Sequence, residues 1–93
     1  MKKKLTEAIQ LYGEENQLIV ALEELAELQK EITKTLRGQG RREAVLEEIS
    51  DVRIMLEQLI IIGGFSSIEL DEELARKYVR LVRRMEEDQH RRK

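Results

Sequence analysis

Carboxylates in two groups are the residues of this 93-residue chain best placed to do chemistry: Glu23, Glu24 and Glu27, then Glu48 and Asp51. Within each group, spacings of three and four residues put the side chains on one side of a helix, a few ångströms apart. Like charges so placed repel, by about a few tenths of a kcal/mol when solvated and more when partly buried. Glu48 sharpens the problem. Helical geometry puts it in a row with Ala44, Val52 and Met55 at the edge of an apolar face, where a carboxylate requires a cation, a donor or a proton. If the two groups sit on antiparallel neighbouring helices, Glu24 and Glu27 lie level with Glu48 and Asp51, and four carboxylates converge. Oxygen-only ligands favour a hard cation, Mg²⁺ or Mn²⁺ before zinc, and magnesium keeps waters that a phosphate can replace.

A chain with 39% charged residues also places Glu at helical spacing by chance, usually as a solvated face paired with Lys or Arg. That reading is favoured for Glu23 and Glu31 taken alone. For Glu48 and Asp51, beside apolar neighbours and opposite a second acidic pair, a functional reading is ahead. A di-iron carboxylate bundle is disfavoured, because it needs Glu-x-x-His on two helices and the one histidine is His90, near the C-terminal end.

The elements that must position these acids are helices. Proline is absent, aromatic residues make up 3%, and Leu, Ile, Glu, Lys, Arg and Ala dominate, so the fold class is all-α. Gly13, the Gly38/Gly40 pair and the Gly63/Gly64 pair divide the chain into four helix-compatible segments. These run from about Lys3 to Tyr12, Glu15 to Leu36 and Arg41 to Ile62. The last starts after Gly64, where Ser66 and Glu69 resemble a capping box, or later at Asp71, and continues to near His90.

The expected architecture is a bundle of three to four helices around two long antiparallel ones, in a single domain. Leu18, Leu22, Leu25, Ile32 and Leu36 form an apolar stripe expected to face a core. The third helix is apolar on more than one face, with Val45, Ile49, Val52 and Leu56 on one side and Ala44, Met55 and Ile62 on another, so it should be sandwiched between neighbours. The fourth carries Leu70, Leu74, Tyr78, Leu81, Val82 and Met85 on one side and is expected to pack across the other two. A lone chain covers only part of the third helix, so a homodimer or homotetramer is expected to complete the bundle.

Composition bounds the rest. With no cysteine, disulfides, thiolate metal sites and thiol nucleophiles are all excluded. No apolar run is long enough to span a bilayer, and a net charge of −2 gives no global attraction for nucleic acid. The expectation is a cytoplasmic protein that engages neither a nucleic-acid polymer nor a membrane.

The order Glu23-Glu24-Leu25-Ala26-Glu27, then Glu48-Ile49-Ser50-Asp51, resembles the EExxE and ExxD motifs of the MazG-like, all-α nucleoside triphosphate pyrophosphatases. Gly13, Gln17, the Leu36-Arg37-Gly38 turn and the run from Val52 to Leu59 extend the likeness to the short single-domain members of phage and Bacillus type. The resemblance implies that Glu24, Glu27, Glu48 and Asp51 ligate Mg²⁺, with Glu23 as an outer carboxylate or water-orienting group. It further implies cleavage of a nucleoside triphosphate between the α- and β-phosphates, giving monophosphate and pyrophosphate, as in the nucleotide-pool cleansing done by some members. Glu23 and Glu27 are the candidates for accepting the water proton.

A triphosphate also needs cations, and Lys34 and Lys77 are the favoured candidates among the basic residues of the second and fourth helices. Gln17 offers an amide to a base or ribose. Two rival readings compete: a non-enzymatic helical oligomerisation or regulatory module of the same fold, and a phosphohydrolase that releases single phosphates.

Overall fold

Helix after helix is what this composition permits, and the computed structural model, which describes residues 1–92, contains four: α1 (Lys2–Tyr12), α2 (Glu14–Leu36), α3 (Arg42–Gly63) and α4 (Ser67–Arg91). The glycines fall where the sequence places them. Gly13 separates α1 from α2, and Gly64 ends α3 in the left-handed region with φ 69°. Of the two possible starts for α4 the earlier one holds. The Ser66 hydroxyl accepts from the Glu69 amide at 3.1 Å, while the Glu69 carboxylate accepts from the Ser66 amide at 2.8 Å, satisfying two free donors of the first turn. These bonds hold the Glu69 carboxyl below its ordinary pKa.

The turn between the long helices depends on two glycines. Gly38 has φ 75°, and amides at Gly38 and Gln39 reach back to the Thr35 and Lys34 carbonyls at 3.0 and 2.9 Å, closing the end of α2. A Cβ on Gly40 would lie 2.7 Å from Thr35 Cα, so a side chain there must push the backbone of α2 aside. Gly40→Ala is expected to cost about 1–3 kcal/mol, read as a lower midpoint in urea unfolding with the slope unchanged.

α2 and α3 pair antiparallel along most of their length, and α1 lies against both near the end of α3. Ala21 on α2, at 3% exposed, lets the helices approach, and Val52 and Met55 on α3 and Ile9 on α1 are the other buried apolar side chains. The all-α bundle with two long central helices is as expected. No described helix is long and apolar enough to cross a membrane.

Two packing expectations are corrected. The line of α2 that meets α3 is Gln17, Ala21, Glu24 and Leu28, so the stripe of Leu18, Leu22, Leu25, Ile32 and Leu36 lies about a quarter-turn away and is exposed, Leu22 by 68%. The periodicity is right, and no described residue covers the stripe. Likewise α3 is covered on one side only, leaving Leu46, Ile49, Ile54 and Leu56 exposed.

α4 does not pack across the other helices: only its start, with half-buried Leu70, shares a cavity with Leu5 of α1 and Ile60 of α3, and none of its described residues is fully buried. The result is an extended molecule of 56 × 38 × 20 Å with a radius of gyration of 17.1 Å, against about 12 Å for a compact chain of this length.

Candidate metal centre

The antiparallel pairing of α2 and α3 brings Glu24 level with Glu48 and Asp51, and one oxygen from each lies within 4.8 Å of the others. Glu24 sits one turn beyond Ala21 on the line that meets α3, so it points into the contact. Glu48 lies one turn before Val52 on the facing line. Both are half-buried, while Asp51 is exposed and opens the cluster to solvent.

Burial and repulsion act together on these groups. The Glu24 carboxyl is raised above its ordinary pKa of 4.5, first by burial, then by the charges of Asp51 and Glu48, and by hydrogen bonds with both that favour its protonated form. Glu48 is raised as well, by burial first, then by Asp51 and Glu27, and by Glu31 more weakly, with a hydrogen bond from Glu24 opposing. Glu48 Oε2 is buried and has no hydrogen-bond partner among the described residues. An acceptor in that position carries a desolvation cost that a cation would relieve.

Donor chemistry and spacing both suit a hard divalent ion. Two oxygens on one Mg²⁺, each at about 2.1 Å, stand no more than about 4.2 Å apart, so small side-chain rotations close the triad around an ion. Three of the four expected ligands meet in this way. Glu27 is exposed and outside the triad, although its charge reaches Glu48. Glu23 is exposed on α2 and also lies outside it.

The candidate substrate groups are scattered. Lys34 is half-buried and lies 3.5 Å from the Glu31 carboxylate. Lys77 is on α4, 3.9 Å from Glu73 and on the part of that helix that packs on neither α2 nor α3. Gln17 is buried, and its amide donates to Gln58 Oε1 at 2.7 Å, while the Gln58 amide reaches Met55 Sδ at 3.7 Å.

Gln58 escaped the sequence reading, because a glutamine on a helix so rich in Ile and Leu gives no sign of which face it takes. The sequence alone favours a solvated face for Glu31. Its side chain is 12% exposed and its charge is felt at Glu48. The signal was there: Glu31 follows Glu24 by seven residues, two turns along the same face.

The Gln17–Gln58 bond makes its own prediction. Gln58→Leu alone strands a buried amide and is expected to cost about 1–3 kcal/mol, whereas Gln17→Leu with Gln58→Leu together should be close to neutral. A double-mutant cycle in urea measures this, and a coupling near zero would remove the pair from the account of how α2 and α3 are held in register.

No family model, no curated protein and no solved structure matches this chain.

Proposed function

We propose that this chain is a Mg²⁺-dependent nucleoside triphosphate pyrophosphohydrolase whose ion is held by Glu24, Glu48 and Asp51. The observation that carries the reading is the convergence of these three carboxylates from two helices, with Glu48 Oε2 buried and unpartnered among them. A divalent ion there would supply charge neutralisation for phosphate and acidity for water.

The remaining roles belong to side chains. Glu24 and Glu48, as half-buried carboxylates, would hold the ion from the helix contact, and exposed Asp51 would hold it from the solvent side. Glu27, one turn after Glu23 and close enough for its charge to reach Glu48, is the candidate to accept a proton from water, with Glu23 behind it. Lys34, still 45% exposed beside Glu31 and ten residues after Glu24 on α2, is the candidate cation for a phosphate. The choice of the bond between the α- and β-phosphates rests on the resemblance of the two acidic motifs alone. A homodimer or homotetramer belongs to the same reading, because the exposed apolar faces of α2, α3 and α4 need cover.

The test is to incubate the purified protein with ribo- and deoxynucleoside triphosphates, with and without Mg²⁺, and separate the products. Equal release of monophosphate and pyrophosphate, dependent on Mg²⁺, is the expected result. Orthophosphate with a diphosphate product would replace this reaction with single-phosphate release, and no product from any nucleotide would favour a non-enzymatic helical module.

A further inference from the structure

α4 presents the strongest unanswered demand in the molecule. It is a helix of 25 residues, amphipathic as far as Met85, with Leu74, Tyr78, Leu81 and Met85 in one line at steps of four, three and four, each at least 49% exposed. A second uncovered face lies on the α2–α3 hairpin. There Leu18, Leu25 and Ile32 run alongside Ile49 and Leu56, and near the turn Ile32, Leu36, Val45 and Ile49 line a groove of about 560 Å³.

The two apolar lines are comparable in length: at about 1.5 Å per residue, Leu74 to Met85 spans about 17 Å and Leu18 to Ile32 about 21 Å. In this chain they do not meet, since α4 leaves the end of α3 and its line from Leu74 to Met85 packs on neither long helix.

The exposed area says how much cover is missing. The chain exposes 8128 Å², whereas a compact monomer of its 11.0 kDa mass exposes roughly 5,600 Å². The excess, about 2,500 Å² per chain, is several times the roughly 800 Å² that each partner gives to a standard interface and falls in the range of obligate dimers.

We propose that the chain forms an exchanged homodimer in which α4 of each copy seats on the apolar face of the α2–α3 hairpin of the other. This goes beyond the oligomer named above by fixing which faces meet. It also leaves the carboxylates accessible. Around α2 and α3 the apolar face lies to one side of the line of contact, while Glu27 and Asp51 lie to the other. The cations between Leu74 and Met85, namely Arg76, Lys77, Arg80, Arg83 and Arg84, flank or oppose the seated line and stay at the rim or in water.

Light scattering on the full chain tests the exchange. The wild type is expected to have at least dimeric mass. Leu74→Gln with Leu81→Gln on α4, and separately Leu25→Gln with Ile32→Gln on the hairpin, should each give monomers with helicity unchanged, since all four side chains are at least 42% exposed in the single chain. An equimolar mixture of the two variants should regain dimeric mass, because one of its two exchanged interfaces is then wild type on both sides.

A mixture that stays monomeric overturns the exchange, and an α4 variant that keeps the wild-type mass overturns it while leaving a homo-oligomer built on the hairpin faces. A monomeric wild type overturns the exchange and the oligomer together. If that monomer sediments with vesicles of anionic phospholipid, a membrane surface is the occupant of α4 instead. None of these outcomes bears on the metal-centre reading, which the product assay tests.

Discussion

Glu48→Gln is expected to reduce pyrophosphate release by on the order of a hundredfold or more, the scale seen when one preorganised electrostatic group is removed from a site, and at the same time to raise the melting temperature of the metal-free protein. The two effects share one origin. Glu48 is half-buried, its Oε2 has no partner among the described residues, and its charge faces Glu24, Asp51, Glu27 and Glu31. An amide of nearly the same shape removes that repulsion and brings its own donor to the neighbouring carboxylates.

Asp51→Asn is the control. Asp51 is exposed and its charge bears on both Glu24 and Glu48, so its loss should lower activity with a smaller gain in stability, because the buried Glu48 oxygen stays unpartnered. Activity assays and thermal melts on both variants check this. A Glu48→Gln protein with full activity would remove Glu48 from the site.

The second large effect is stabilisation by the ion. A ligand that binds only the folded chain adds about 2.7 kcal/mol at a hundredfold excess over its Kd, and for a domain of this size each kcal/mol moves the melting temperature by about 4–8 °C. Saturating Mg²⁺ should therefore raise it by roughly 10 °C or more.

The effect should shrink with acid, and the sign follows from the direction of the shifts. Glu24 and Glu48 are raised above 4.5 in the folded chain, so there they hold protons more tightly than in the unfolded chain. Through these two groups, metal-free stability falls as pH rises from 4.5 through their folded values. Protons and Mg²⁺ compete for the same oxygens, so the Mg²⁺-induced rise is full at neutral pH and declines as pH falls through that window. Glu69 and Glu73, both lowered by their partners, act in the opposite direction, losing stabilisation only at pH below 4.5, and neither belongs to the triad. Melts with and without Mg²⁺ across this range read the difference directly. A rise independent of pH would place the ion away from Glu24 and Glu48.

The helices were legible in the sequence because their ends carry local chemistry. Gly13, Gly38 and Gly64 adopt positive φ, and Ser66 with Glu69 forms the capping box that the spacing suggests. The acidic triad was legible as well, since residues three and four apart on a helix must share a side, and an antiparallel hairpin sets the level at which the two groups meet.

What the sequence could not disclose was which face of α2 meets α3. Leu18, Leu22, Leu25 and Ile32 form the more apolar stripe, and hydrophobicity alone would turn them inward. The chain instead turns Gln17, Ala21, Glu24 and Leu28 toward α3, where Ala21 permits close approach and Gln17 bonds Gln58. A polar pair separated by 41 residues leaves no periodic trace. The isolation of α4 was invisible for a related reason: amphipathicity states that a face needs a partner and not which chain provides it.

The most direct test of the account is a Mn²⁺ titration followed by electron paramagnetic resonance, on the wild type and on Asp51→Asn. The account predicts saturable binding of about one ion per triad, competition by Mg²⁺, and marked weakening by the substitution. Binding that never saturates, or that Asp51→Asn leaves unchanged, would contradict it and return Glu24, Glu48 and Asp51 to the status of surface acids.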